Sequence, residues 1–172
     1  MNLVRWQKKG YLIKIINGWY CFPDYSDAEN LSWLAANLIY SPSYISLESA
    51  LSYYNLIPEA IYQTTSVSAR RTIHYRTPVG NFQYRTVKQA VYGFGHRLID
   101  SRILIADPEK ALLDFFYLNH QYNSEKDMED LRLDHTILSG INRTKLYLYL
   151  DRFQNKALDD RIFRMNKVYA TN

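Results

Sequence analysis

With 172 residues, the chain has the length of one domain or of one domain with a small appendage. Its 21 Lys and Arg against 17 Asp and Glu leave a formal charge of +4. A hydrophobic share of 47% with 22% charged residues excludes a disordered chain, and six Gly and five Pro exclude a linker-rich one. No apolar run reaches the roughly 18 residues of a membrane span. The first residues lack the apolar core of a signal peptide, and the lone Cys21 cannot form an internal disulfide. A soluble cytoplasmic protein is expected. Sixteen Tyr, whose rings suit wet surfaces as well as cores, tilt the expectation toward a binding protein.

The charge is uneven. Residues 1–14 carry four cations and no acid, and residues 70–102 carry seven cations and one acid. This asymmetry fits a partner with phosphates or an acidic face; the plainer alternative is a basic strand region neutralised by acidic helices of the same chain.

Residues 3–10 read as a short basic helix. Apolar runs at 11–16 and 19–22 flank Asn17-Gly18, a strong hairpin signal because a type I′ turn needs positive φ at both central residues. Ser26 with Glu29 reads as a capping box. The helix after it shows the stripe Leu31, Leu34, Ala35, Leu38 and Ile39 and ends at Ser41-Pro42. A second helix starts at Ser46 and stops before Pro58.

The period then changes from helical to alternating, predicting a strand at 61–67 and a hairpin of 72–77 with 82–87 about Pro78-Val79-Gly80-Asn81. Alternation puts Ile73, Tyr75, Phe82 and Tyr84 on one face. His74, Arg76, Gln83 and Arg85 take the other, which should look outward. Residues 91–94 and 98–106 read as further strands. Asp107-Pro108-Glu109 is a helix start, with Asp as N-cap and Pro at the first position; the helix runs to Asn119. The remainder is helical, with stripes Leu146, Tyr149, Leu150, Phe153 and Leu158, Ile162, Met165, Tyr169. The predicted class is α+β, with helices segregated from an antiparallel sheet.

Catalytic signals are weak. His74, His96, His120 and His135 have no metal-ligand spacing. Gly93-Phe94-Gly95 lacks the third glycine of a dinucleotide loop and suggests a bulge or close approach instead. Capping explains Asp107 and Glu109, and an i, i+4 pair with Lys110 explains Asp114. No enzyme, cofactor or metal is expected.

The basic helix leading into a hairpin is how the recognition helix and wing of a winged helix are arranged. Leu3 to Leu12 and Asn17 to Phe22 resemble those parts of AbiEi-type antitoxins. Tyr44 to Glu59, Thr64 to Val67 and Gly80 to Arg85 are similar to the family's central segments. Ile105-Ala106-Asp107-Pro108-Glu109-Lys110-Ala111-Leu112-Leu113-Asp114 resembles its most specific motif.

The resemblance covers about residues 3–119. It implies the antitoxin half of a type IV abortive-infection pair, whose toxin is nucleotidyltransferase-like, with repression of its own operon. The toxin's Gly-Ser and Asp-x-Asp motifs are absent from this sequence. Residues 1–24 would be the winged-helix element and 25–172 the antitoxin domain. Arg5, Gln7, Lys8, Lys9 and Lys14 would meet operator DNA, with Lys8 and Lys9 on phosphates and Arg5 and Gln7 nearer base edges. Arg70, Arg71, His74, Arg76, Arg85 and Lys88 would form a partner or nucleic-acid surface.

The element lacks the earlier helices of a winged helix, so an interaction module without DNA binding is the alternative expectation. A nucleotide-acting or toxin-modifying enzyme comes third.

Overall fold

The computed structural model describes residues 2–25, 30–59 and 61–169. It opens with helix α1 (Leu3–Lys8) and an antiparallel hairpin of β1 (Ile13–Ile16) and β2 (Trp19–Cys21). Gly18 turns that hairpin at φ +88°, but Asn17 does not take positive φ, so the turn falls where Asn-Gly predicts without being the expected type I′. The expected Ser26–Glu29 capping box lies outside the described residues.

Helix α2 (Leu31–Ile39) buries Ala35, Ala36 and Ile39, whereas Leu38, expected in the stripe, is 43% exposed. The buried face has rotated toward the alanines because α2 lies close against the sheet. There the Tyr84 hydroxyl donates to the Ala36 carbonyl at 2.7 Å, and Asn37 clasps the Leu104 backbone at 2.6 and 3.3 Å.

Next come β3 (Tyr44–Ile45), α3 (Leu47–Tyr53), β4 (Thr64–Ser68), β5 (Ile73–Thr77) and β6 (Gly80–Thr86). After them lie α4 (Gln89–Tyr92), β7 (His96–Ile99), β8 (Ile103–Ala106) and α5 (Pro108–Leu118). The tail is helical: α6 (Glu125–Asp130), α7 (His135–Ser139), α8 (Arg143–Phe153) and α9 (Lys156–Tyr169).

Two strand expectations are corrected. The segment expected as a strand at 91–94 begins inside α4, which follows directly from β6 and buries Val91 and Tyr92. The run expected as one strand at 98–106 is a hairpin, because Asp100 and Ser101 both take positive φ and reverse the chain. β3 was not anticipated: two residues carry no alternation to read.

The class is α+β, as predicted, but the large sheet is mixed, not antiparallel as expected. Its order is β5-β6-β4-β3-β8-β7, with β4–β6 and β3–β8 parallel and the other neighbours antiparallel. β5 takes the edge, so the strands before and after it become parallel neighbours. One face of the sheet meets α3 and α5, which α8 and α9 back, and this is the main core. The other face meets α2 over a smaller cluster of Tyr40, Phe82 and Tyr84. Ile15 of the N-terminal hairpin joins that cluster.

No helix among the described residues is long and apolar enough to cross a membrane.

Candidate nucleic-acid interface

The first basic region is α1 and its hairpin. Helix α1 buries none of its residues, and Arg5, Gln7, Lys8 and Lys9 are all exposed. Asn2 caps it, accepting from the Arg5 amide at 3.1 Å. Lys14, on β1, is half-buried and stands apart from the other four. Lys9 sits over the Tyr11 ring at 5.9 Å. Among the described residues, none of these cations is ion-paired. Their charge is directed at solvent.

The second region is the β5–β6 hairpin. The alternation expected from the sequence holds: Phe82 and Tyr84 are buried, Ile73 and Tyr75 half-buried, and His74 and Arg76 exposed. Arg85 departs from the expected open face. It is half-buried and donates to the Leu118 carbonyl at 2.8 Å and to Asn119 Oδ1 at 3.4 Å, capping the C-terminal end of α5. Arg70 is anchored too, donating to the Ser41 carbonyl at 2.8 Å with its guanidinium 4.3 Å from the Tyr40 ring centre. Arg71 and Lys88 are exposed at the end of the hairpin opposite its turn.

Arg97 and Arg102 belong to the same basic stretch, 70–102, and so lie near this surface in sequence. The fold sends them to the far side of the sheet, since β7 and β5 are its two edges. Among the described residues, no Arg or Lys between 70 and 88 is ion-paired. Among the described residues, the acidic helices make no ion pair with this hairpin.

The run at 105–114 builds the interior instead. Asp107 occupies the N-cap position of α5, yet its side chain makes no capping bond. A cation is the stronger partner for a carboxylate: Lys145 pairs with it at 2.8 Å and the Tyr149 hydroxyl donates to it at 3.1 Å. Lys145 also reaches Glu109 at 3.1 Å, and Glu109 accepts from the Asn142 amide at 3.1 Å. Burial disfavours the charged Lys145, but the two carboxylates outweigh it and raise its pKa. These contacts bolt α5 to α8.

One turn on, Lys110 and Asp114 form the i, i+4 pair expected from their spacing, and both are fully buried. Asp114 also accepts from the Tyr44 hydroxyl at 2.9 Å and from Ser46 Oγ at 2.8 Å. Lys110 donates to Tyr44 at 2.8 Å, with the rings of Tyr44, Phe94 and Phe153 at 5.0–5.3 Å. Burial pulls the Lys110 pKa down against the opposing pull of Asp114. Tyr44 is pushed far up, by burial first and Asp114 second. The network is closed to solvent, so it holds structure rather than substrate.

Gly95 explains the Gly-x-Gly. At φ +72° it passes so near α5 that a Cβ would sit 2.9 Å from Lys110 Cβ and Cγ. His96 follows, its ring 5.0 Å from that of Tyr44, and its pKa is lowered chiefly by burial. Among the described residues, no three His, Cys, Asp or Glu side chains could hold a metal ion.

No protein-family model, curated protein or solved structure matches the chain.

Proposed function

We propose that this chain is a non-enzymatic antitoxin of the AbiEi type, which counters a nucleotidyltransferase-like toxin and represses its own operon through the N-terminal helix and hairpin. One observation carries the DNA-binding half of the reading. A helix that buries nothing presents Arg5, Gln7, Lys8 and Lys9 to solvent, unpaired among the described residues, directly ahead of a β-hairpin. Cations so held meet phosphates at no cost in broken ion pairs, and a helix of this size fits the major groove. The antitoxin half rests on the resemblance centred at 105–114, a run that here forms the β8–α5 corner of the fold.

Co-expression with a nucleotidyltransferase-like toxin, sought among the adjacent genes, tests it. Growth should be rescued, and the chain should retard DNA from upstream of its own gene. Unrelieved toxicity together with absent retardation would overturn the reading.

A further inference from the structure

The turn of the basic hairpin borders an open cleft that neither half of the proposed function uses. The cleft has a volume of about 440 Å³ and lies between α2, α3, the segment leading into β4, and Gly80-Asn81. Its walls are uncharged and mix serine, threonine and amide side chains with three rings: Trp33 and Tyr53 meet edge-on at 5.3 Å, and Tyr62 stands 90% exposed on the rim. Tyr62 and Asn81 also line an adjoining cavity of about 350 Å³ that includes Gln63 and Glu48.

Strand register ties the cleft to the cations. Asn81 pairs directly with Arg76, and Gln83 with His74, and cross-strand partners share a face of the sheet. Gln63 extends that face by donating to Gln83 at 3.0 Å. The ring of Tyr62, then the amides, then Arg76 and His74 therefore follow one another along this face of the hairpin.

We infer that this line is a binding site for single-stranded nucleic acid, in which a base stacks on Tyr62 and the backbone follows the hairpin cations. Aromatic faces accept any base, and Arg76, in no ion pair among the described residues, can meet a phosphate. Glu48 suits an exocyclic amine and repels phosphate, which orients the strand with its backbone on the Arg76 side. Charges on an edge strand also discourage strand pairing. That accounts for His74 and Arg76 alone, and leaves a nearly fully exposed tyrosine and the cleft beside it unexplained. The inference does not depend on the antitoxin reading.

Fluorescence anisotropy with labelled twelve-residue RNA and DNA single strands, and with the matching duplex, tests it. A Lys8→Ala, Lys9→Ala background keeps the N-terminal element from contributing phosphate contacts. Single strands should bind more tightly than duplex, and the RNA and DNA arms tell which strand is preferred. Tyr62→Ala should weaken binding about tenfold while Tyr62→Phe preserves it, since the ring supplies the stack. Arg76→Glu should also weaken it, by a factor that shrinks as salt rises. Melting temperatures should not move, because both side chains are exposed. The inference is overturned if single strands do not bind, if Tyr62→Ala binds as before, or if polyglutamate binds as well without needing Tyr62, which would make this a surface for acidic proteins.

Discussion

The N-terminal element and the β8–α5 corner are both rich in charge, and they use it in opposite ways. On α1 and at its C-cap the cations are exposed and, among the described residues, in no ion pair. In the 105–114 run every charge is paired: Lys110 and Asp114 lie at 0% exposure, and half-buried Asp107 and buried Glu109 are held by Lys145. An exposed, unpaired charge leaves stability almost untouched and stays available to a partner. A buried charge is committed, because its desolvation is offset only while each partner is present. Charged residues in the first region are thus candidates for function, and those in the second are candidates for fold.

The largest expected effect breaks the buried network. Asp114→Ala strands the Lys110 ammonium and takes the shared acceptor from Tyr44 and Ser46. Removing one partner of such a pair costs about 3–5 kcal/mol. Urea denaturation should register the loss; a stability change under about 1 kcal/mol would show that water reaches Lys110 and that the network is not closed.

Gly95→Ala comes next. Its methyl would press on the Lys110 stem at 2.9 Å and on Tyr149 Cε2 at 3.0 Å, at a positive φ that only glycine takes freely. Overpacking of this kind costs about 1–3 kcal/mol. The same change at Gly18, where a Cβ meets nothing within 4 Å, carries the backbone penalty alone and should cost less. Equal losses at the two glycines, read as melting temperatures, would remove the close approach as the reason for Gly95.

These two positions also show what a single sequence discloses. Asn17-Gly18 was legible because its chemistry is local: two residues set the turn. The β5–β6 faces were legible because alternation is local as well. The Lys110–Asp114 spacing revealed a pair, but an exposed pair has the same spacing. Its burial depends on Tyr44, Ser46, Phe94 and Phe153, brought in from elements far apart in the chain. Asp107 looked like a cap for the same reason: its true partners, Lys145 and Tyr149, lie some forty residues on. The parallel β4–β6 and β3–β8 pairs, and the meeting of Tyr62 with Asn81, are likewise non-local. No window of residues contained them.

A smaller effect sharpens the comparison through pH. His96 sits between Tyr44 and Tyr92 near Lys110, and burial foremost holds its pKa below the ordinary 6.5. The unfolded chain therefore takes up the proton first as pH falls. Stability that depends on neutral His96 is complete above about 6.5 and is lost progressively below it, toward the lower folded value. The gap in melting temperature between the wild type and His96→Gln should narrow from pH 7.5 to pH 5. A gap that stays constant would mean that His96 titrates as it does in the unfolded chain.

The smallest expected effect on stability belongs to α1, where it matters most for function. Lys8→Ala with Lys9→Ala removes two exposed side chains that make no ion pair among the described residues, so the change should stay within about 0.5 kcal/mol. It also removes the contact of Lys9 with the exposed Tyr11 ring. Against DNA from upstream of the gene, the same variant should weaken binding about equally for every sequence. It should also lower the slope of log affinity against log salt by about two units, one for each phosphate contact. Arg5→Ala should act differently, changing the preference among sequences, because the reading places it nearer base edges. Suppose instead that the double variant bound DNA with an unchanged salt slope but melted several degrees lower. The exposed lysines would then belong with the committed charges of α5, and the contrast between the two regions would fail where it is most easily measured.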